Sequence, residues 1–212
     1  MSQLFIVIPA AGHSRRMGQP KLLMDWAGQT VIAHVLTALQ SIQPAAGVIV
    51  VRQDDLALQQ EIDRCETSIS WFAADQDPPD MLTSIRYGLE QINKRHHPTD
   101  NDGWLLMPAD HPVVSPAILT SLMQVWQQQQ PQILIPTHAG KRGHPALFRW
   151  VWTSHIDQIP TDQGLNWLIR HHQDALTTVE LPFPEILQDL DTPDDYARLY
   201  PTGKHPSQPP ST

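Results

Sequence analysis

The 212-residue sequence has little cysteine and few basic residues, and each shortage excludes a class of protein. Cys65 is the only cysteine, which excludes an intramolecular disulfide framework and a cysteine-based zinc or iron–sulfur site. A single thiol fits a reducing, cytoplasmic setting. Fourteen Lys and Arg against 22 Asp and Glu give a net charge of −8 with histidine neutral. This balance disfavours nucleic-acid and polybasic membrane contacts, so an anionic ligand needs a local cluster of positive charge.

The sequence also lacks any apolar run near the ~20 residues that a membrane-spanning helix needs. Its first residues, Met1 to Ala11, are apolar without a basic leader, which favours a buried first strand over a targeting signal. This length is typical of one compact domain, which we assign to residues 1–200. Residues 201–212 have almost nothing apolar to bury and are predicted to be a disordered tail.

Short apolar runs alternate with segments of helical periodicity through most of the chain. The alternation predicts an α/β fold in which helices connect the strands of a mixed, mostly parallel sheet. The predicted strands are Leu4–Pro9, Gly47–Val51, Ser68–Phe72, Trp104–Met107, Ile133–Pro136, Ala146–Phe148 and Thr177–Leu181. The predicted helices contain the apolar stripes 31–39 and 82–92, begin at Ser115-Pro116, or cover Leu165–His171 and Pro193–Tyr200.

The loop after the first strand combines small residues with three cations. It reads Ala10-Ala11-Gly12-His13-Ser14-Arg15-Arg16-Met17-Gly18-Gln19-Pro20-Lys21. Small residues let backbone N–H groups approach a phosphate chain, and Arg15, Arg16 and Lys21 supply positive charge. The segment is neither a P-loop, because Leu22 follows Lys21 where Ser or Thr would hold magnesium, nor a GxGxxG dinucleotide motif. We interpret it as a polyphosphate-binding loop.

This loop resembles the signature of the molybdenum cofactor nucleotidyltransferases of the MobA-like NTP transferase superfamily, and in particular their cytidylyltransferase branch. The resemblance implies a three-layer α/β sandwich of the nucleotide-diphospho-sugar transferase, Rossmann-like type. It also implies that Lys21 and Arg15 hold the triphosphate. The nucleotide-binding positions that it implies in the loop are Ala10, Ala11, Gly12, Ser14, Arg15, Gly18 and Lys21.

Asp110 lies just past the carboxyl end of the predicted strand Trp104–Met107. Ligands of open α/β sheets bind at such ends. A carboxylate there suits Mg²⁺ or Mn²⁺, which is held through one or two carboxylates and substrate phosphates. Asp110 with Pro112 also resembles the family's metal-binding Asp-x-Pro element, which implies a catalytic, metal-ligating Asp110. A turn or helix-capping aspartate is the alternative.

A second pair of carboxylates lies near the end of the chain. Alternation along an extended segment puts Asp189 and Asp191 on one face, where both can contact one cation. The pattern Asp-x-Asp-Thr-Pro resembles the family's C-terminal motif, which supplies the second metal contact. Asp191 is favoured over Asp189 as that ligand.

Two further segments resemble family elements. Residues 81–89 resemble a segment near the nucleotide, so Ser84 and Arg86 are expected to face it, although a plain amphipathic helix explains the apolar residues equally well. Residues 140–148 resemble a Gly-His-Pro element on the acceptor side. Lys141, Arg142 and His144 are therefore expected to receive a phosphate monoester, with a solvated basic turn as the alternative.

Together these features predict a nucleotidyltransferase that releases pyrophosphate. The resemblance implies CTP as the donor of CMP, and the terminal phosphate of molybdopterin or its molybdenum-loaded form as the acceptor. The alternatives are a guanylyltransferase of the same pathway, a sugar- or polyol-phosphate nucleotidyltransferase, and a non-catalytic cofactor carrier or insertion chaperone for a molybdoenzyme. The guanylyltransferases typically carry Gly-Gly in place of Ala10-Ala11 and asparagine near Asp191. A molybdoenzyme or its maturation factor is a candidate partner.

Overall fold

The computed structural model describes residues 2–201, so all but the first residue of the tail expected at 201–212 lies outside the described residues. The strands are β1 (Leu4–Pro9), β2 (Asp25–Trp26), β3 (Gln29–Thr30), β4 (Ala46–Val51), β5 (Ile69–Ala73), β6 (Gly103–Leu106), β7 (Ile133–His138), β8 (Lys141–Arg142), β9 (Ala146–Arg149) and β10 (Leu176–Glu180). The α-helices are α1 (Val31–Gln40), α2 (Leu56–Arg64), α3 (Met81–His96), α4 (Pro116–Gln129), α5 (Thr153–Ile156), α6 (Asn166–His171) and α7 (Pro193–Leu199). Short 3₁₀ helices cover Lys21–Leu23, Trp150–Trp152, Gln173–Ala175 and Pro184–Leu187.

The main sheet is eight-stranded, with the order β10-β7-β9-β6-β1-β4-β5 and β8 paired to β7. β1 is parallel to both of its neighbours, β4 and β6, and β5 is parallel to β4. β9 is antiparallel to β6 and β7, and β8 is antiparallel to β7. The sheet is therefore mixed and mostly parallel, as the sequence predicts.

The core lies on both faces of this sheet. Along β1, Ile6 and Ile8 pack into one buried cluster, which includes apolar residues of α1, α2 and α4. Phe5 and Val7 point to the other face and pack into a second cluster with α3, α5 and α6. The helices thus form a layer on each side of the sheet, which confirms the three-layer arrangement.

Close packing of α3 against β1 depends on a glycine. A Cβ atom on Gly88 would lie 2.8 Å from Cγ1 of Val7, closer than carbon atoms pack without displacement. The absent side chain at Gly88 lets α3 lie directly against the central strand. This places the N-terminus of α3 beside the loops that follow β1 and β5.

Every predicted strand is present, with ends shifted by no more than two residues. The helix expected at Ser115-Pro116 begins there, and the Ser115 hydroxyl accepts a hydrogen bond from the N–H of Ile118 at 3.5 Å. Helix α2 and the hairpin of β2 and β3 have no counterpart in the prediction. Among the helices in residues 2–201, none is long and apolar enough to cross a membrane.

Candidate active site

The loops that follow β6, β1, β4 and β5 meet at one edge of the sheet because these neighbouring strands are parallel. A cleft of about 470 Å³ opens at this edge. The first loop, defined as residues 10–20, forms one wall, and the opposite loop, defined as residues 77–81, forms another. Ser84, Pro108, Ala109 and Asp110 complete the lining.

The first loop is a tight turn that exposes its cations. Ala10 donates its N–H to the carbonyl of Val50 at 2.8 Å, which fixes the start of the loop on β4. Ser14 has a φ of 50°, in the left-handed region, and its carbonyl accepts the N–H groups of Met17 and Gly18 at 3.1 and 3.2 Å. The side chain of Arg15 is exposed on this turn and lines the cleft.

Lys21 joins the two carboxylates that the sequence predicts as metal ligands. Its Nζ lies 2.5 Å from Oδ2 of Asp110 and 3.0 Å from Oδ1 of Asp191. These side chains are only 15 to 22% exposed. Arg16 adds a second cation, with its guanidinium 2.7 Å from the other oxygen of Asp191. Residues separated by 170 positions in the chain therefore form one charge cluster at the mouth of the cleft.

The charge of Lys21 is stabilised by this arrangement. Burial alone would lower the pKa of the Lys21 ammonium, but the ion pair with Asp110, and then the contact with Asp191, outweigh it and raise the pKa. Lys21 is thus a permanent cation between two carboxylates. The sequence predicts that Lys21 contacts phosphate, whereas in the structure the Lys21 ammonium is bound by Asp110 and Asp191.

The segment that carries Asp191 is fixed on the loop that carries Asp110. The N–H of Leu190 donates to the carbonyl of Asp110 at 2.9 Å, and Leu190 is fully buried. Asp191 turns into the charge cluster, while the side chain of Asp189 is exposed and takes no part in the ion pairs with Lys21. Within residues 2–201, no group of three or more His, Cys, Asp or Glu side chains is arranged to hold a metal.

Ser84 and Arg86 lie in different places, although the sequence groups them. Ser84 is buried in the first turns of α3 and lines the cleft. Arg86 points away from the cleft and donates hydrogen bonds to the carbonyls of Ile156 and Ile159 at 2.9 and 3.2 Å. Arg86 is therefore not part of the lining of the cleft, and its expected contact with the nucleotide stays a prediction. A shift of two positions along a helix turns a side chain about 200° around the axis, away from the face of Ser84.

The three residues expected on the acceptor side, Lys141, Arg142 and His144, also differ in their surroundings. Lys141 and Arg142 are exposed on β8, and Arg142 donates to Oε1 of Gln173 at 3.2 Å. His144 is instead largely buried, with its ring centroid 5.2 Å from that of His111. Burial, with a smaller contribution from His111, lowers the pKa of His144 to about 4. His144 is therefore a neutral imidazole near neutral pH, while its expected place in the acceptor site stays a prediction.

Arg52, Asp77 and Asp80 were not predicted as site residues, and Arg16 was predicted only as a source of positive charge in the loop. Arg16 pairs with Asp191, and Arg52 donates from Nη1 to the carbonyl of Gly12 at 3.0 Å. Asp77 and Asp80 line the opposite wall. Arg52 could have been predicted from its position directly after β4, a strand that lies beside β1. The loops that follow neighbouring parallel strands lie close together. The pairing of Arg16 with Asp191 depends on tertiary contact and has no local signal.

A strand-edge cleft with a cationic loop on one side and carboxylates on the other defines an α/β protein of the nucleotide-binding type. Residues 6–176 match the model of the MobA-like NTP transferase domain, and the chain belongs to that family. The protein is accordingly a nucleotidyltransferase with the nucleotide-diphospho-sugar transferase fold.

Relatives within the family carry more specific names. The chain is 27% identical to the molybdenum cofactor cytidylyltransferase of Escherichia coli K12, over 92% of this chain and 95% of that protein. It is also 27% identical to a probable molybdenum cofactor guanylyltransferase of Bacillus mycoides, over 58% of this chain and 57% of that protein. A crystal structure of Rv0371c from Mycobacterium tuberculosis H37Rv in complex with manganese superposes with a TM-score of 0.73 at 23% identity, covering 94% and 98% of the two chains.

Proposed function

We propose that the protein transfers CMP from CTP to the terminal phosphate of a molybdopterin-type acceptor and releases pyrophosphate. The proposal includes a cytoplasmic setting and a molybdoenzyme, or its maturation factor, that receives the product. One observation carries the transfer chemistry: Lys21, Asp110 and Asp191 converge at the mouth of a cleft whose other residues fit a nucleoside triphosphate. The full-length similarity to a cytidylyltransferase supports the choice of CTP.

In the proposed reaction, an oxygen of the acceptor phosphate attacks the α-phosphorus of CTP. A new phosphorus–oxygen bond forms, the bond to the bridging oxygen of the β-phosphate breaks, and pyrophosphate leaves with the electron pair. Phosphoryl-type transfers of this kind need positioning and charge neutralisation more than proton transfer. Arg15 and Lys21 supply positive charge for the triphosphate, and the backbone of Ala10, Ala11 and Gly12 lies along the cleft.

A divalent metal ion fits the donor set of this site. The carboxylates of Asp110 and Asp191 both contact the Lys21 ammonium, so their oxygens already converge on a cation. Mg²⁺ and Mn²⁺ bind through one or two carboxylates together with phosphate oxygens and water. Asp110 and Asp191 would hold the ion, with Asp189 as the less favoured ligand, and the ion would neutralise charge on the reacting phosphates. The manganese complex of the mycobacterial protein supports such an ion.

The acceptor side is proposed on the flank of Asp110 that faces β8. His111, next to Asp110, stacks edge-on against His144, and the chain of β8 lies just before His144. Lys141 and Arg142 are exposed there and provide positive charge for a phosphate monoester. His144 contributes a neutral imidazole rather than a charge. An acceptor phosphate bound on this flank would lie near Asp110.

Guanylyl transfer is the second candidate, and the guanylyltransferase relative supports it. Against it, Ala10 and Ala11 carry methyl groups where glycines would leave more room for a purine, and both residues line the cleft. A sugar- or polyol-phosphate acceptor involves the same bond-making step and differs only in what binds beside Lys141 and Arg142. The non-catalytic carrier is set aside because the chain belongs to a family of transferases.

The direct test is a transfer assay with the purified protein. CTP and GTP, each labelled at the α-phosphate, are incubated separately with molybdopterin and Mg²⁺, and pyrophosphate and labelled product are measured. We expect both products from CTP, and little of either after Asp110→Asn. Asp157→Asn is the matched control, because Asp157 is 82% exposed and lies outside the charge cluster.

The outcomes separate the candidates. Faster transfer from GTP than from CTP would replace the cytidylyl assignment with the guanylyl one. Transfer to a sugar or polyol phosphate but not to molybdopterin would replace the acceptor. Equal activity of Asp110→Asn and wild type would contradict the assignment of the catalytic centre.

A further inference from the structure

Arg52 follows β4 and has every guanidinium nitrogen in a hydrogen bond. Its Nη1 donates to the carbonyl of Gly12 at 3.0 Å, its Nε to Asp54 at 3.1 Å and its Nη2 to Asp55 at 3.1 Å. The side chain is only 15% exposed. A planar guanidinium with three fixed acceptors has one orientation, so this contact holds the Gly12 carbonyl at a defined place.

The segment that carries Arg52 is itself held by hydrogen bonds to α2. Asp55 is the N-cap of α2 and accepts the N–H of Leu58 at 3.3 Å. The side-chain amide of Gln59 donates to the carbonyls of Arg52 and Gln53 at 3.0 and 3.2 Å. Arg52 is thus fixed by its backbone as well as by its side chain, in the turn between β4 and α2.

The same dipeptide also contacts the opposite wall of the cleft. The N–H of Gln53 donates to Oδ1 of Asp77 at 3.3 Å, and Asp77 begins the opposite loop. Arg52 and Gln53 therefore connect the first loop to the opposite loop behind the cleft. The distance between the two walls depends on this connection.

The first loop has little other support at this point. A second cavity, of about 340 Å³, lies on its far side and is lined by residues 12–15 of the loop together with Arg52, Asp55 and Leu58. A Cβ atom on Gly12 would meet nothing within 4 Å. A backbone segment with open space on both sides is free to fluctuate unless a specific contact holds it.

We infer that Arg52 is a positioning residue for nucleotide binding, which holds the first loop and the opposite loop at the separation that the nucleotide requires. The inference rests on the proposed function in one respect, that the cleft binds a nucleoside triphosphate. Arg52 itself does not line the cleft, and each of its guanidinium nitrogens already donates to a protein oxygen. Without it, the loops must be ordered when the nucleotide binds, and this cost weakens affinity.

The test compares Arg52→Met, Arg52→Lys and the control Arg64→Met. Arg64 is 74% exposed at the C-terminal end of α2, in an ion pair with Glu61 that contacts neither loop. Amide hydrogen exchange is measured on the free proteins, and calorimetry measures the affinity for CTP with Mg²⁺. Arg52→Met is expected to weaken CTP binding about tenfold, which is the effect of one lost charge-assisted hydrogen bond. It should also speed amide exchange in the first loop and in the opposite loop. Arg52→Lys, which keeps the charge but not the three-way geometry of the guanidinium, is expected to lie between wild type and Arg52→Met in both properties, and Arg64→Met resembles wild type.

Exchange in the two loops that is unchanged in Arg52→Met would overturn the inference, as would faster exchange spread equally over β1 and β4. If Arg52→Met does not fold, Arg52→Lys carries the test, because the single nitrogen of lysine cannot reach all three acceptors of the Arg52 guanidinium. It must then show faster loop exchange than wild type. If the wild type binds none of CTP, GTP, ATP and UTP, the proposed function fails, while the exchange measurement still decides the role of Arg52.

Discussion

At the residue scale, the charges around Lys21 determine what each substitution removes. Lys21→Ala removes the cation that Asp110 and Asp191 share and leaves two like charges close together. We expect turnover to fall by about 10²–10³-fold, as for loss of one transition-state-stabilising group. Stability should fall by about 1–3 kcal/mol, because two half-buried carboxylates lose their shared partner. Steady-state kinetics and urea unfolding measure the two effects, and activity within a few-fold of wild type would contradict the role of Lys21.

A second prediction separates the candidate metal ligands. CTP binding should tighten with Mg²⁺ or Mn²⁺ and weaken after Asp110→Ala or Asp191→Ala, since both carboxylates converge on one cation position. Asp189→Ala should have the smaller effect, because Asp189 is exposed outside that cluster. Calorimetry in Mg²⁺ and in chelator measures the differences. Equal affinity in both conditions would remove the metal from the proposal.

Base selection is tested at Ala10 and Ala11, whose methyl groups limit the room in the cleft. The steric effect of a methyl-sized group in a pocket corresponds to about 10- to 200-fold discrimination, so we expect a preference of that size for CTP over GTP. The double variant Ala10→Gly, Ala11→Gly should reduce the preference. Competition between equimolar CTP and GTP measures it, and an unchanged ratio would assign base choice to other residues.

At the element scale, α7 fixes the segment that carries Asp191. Tyr196 donates its hydroxyl to the carbonyl of Asp25 at 2.7 Å, and Tyr200 donates to the Asp25 carboxylate. Both rings also pack edge-on against Trp26. The helix is thereby attached to the hairpin of β2 and β3, directly after the helical turn that carries Lys21.

This attachment predicts the effect of shortening the tyrosines. Tyr196→Phe should cost about 1 kcal/mol, the net worth of one hydrogen bond, with little change in activity. Tyr196→Ala also loses the contact with Trp26, so Asp191 should be held less firmly and both stability and turnover should fall. Melting curves and transfer rates measure this. A Tyr196→Ala variant that is destabilised at unchanged turnover would separate α7 from the active site.

Some strands, helices and site residues could be predicted from the sequence, and others could not. Buried strands such as β1 and β4 were predictable because continuous apolar runs mark strands that are covered on both faces. Helix α2 was not, because only Leu58 and Ile62 supply its buried apolar contact, and its other residues are polar or, like Leu56, exposed. Asp110 was predictable from its place at a strand end, whereas the orientation of Arg86 depends on helix rotation. The burial of His144 depends on contacts with a distant part of the chain, including the carbonyl of Ile186.

At the scale of the whole molecule, two buried imidazoles make stability depend on pH. His111 and His144 pack against each other, and the Nδ1 atom of each is buried without a hydrogen-bond partner among the described residues. Burial lowers the pKa of both, that of His144 to about 4. Asp110 opposes this shift for both rings, and Asp189 also opposes it for His111. Each imidazole is therefore neutral in the folded protein at a pH where it is protonated in the unfolded chain.

The sign of the pH effect follows from this difference. Below the unfolded pKa of about 6.5, the unfolded chain binds a proton at position 144 that the folded protein does not bind, so the free energy of unfolding falls as pH is lowered. The contribution of His144 is complete above pH 6.5 and is lost progressively down to its folded pKa of about 4. A difference of that size corresponds to about 3 kcal/mol in total. Asp195, whose pKa is lowered to about 2 by Thr192 and Arg198, acts in a separate window at lower pH.

Urea unfolding of wild type, His144→Asn and His13→Asn at several pH values between 7.5 and 4.5 tests this prediction. His13 is exposed and takes no part in the contact between His111 and His144, so His13→Asn is the control for replacing a histidine. His144→Asn should be less stable at pH 7.5 but lose less stability on acidification, because asparagine takes up no proton in the unfolded chain. The remaining slope is assigned to His111 and His34, whose pKa values are also lowered by burial. Parallel stability curves for wild type and His144→Asn would show that position 144 is protonated equally in the folded and unfolded states, contrary to its buried, neutral environment.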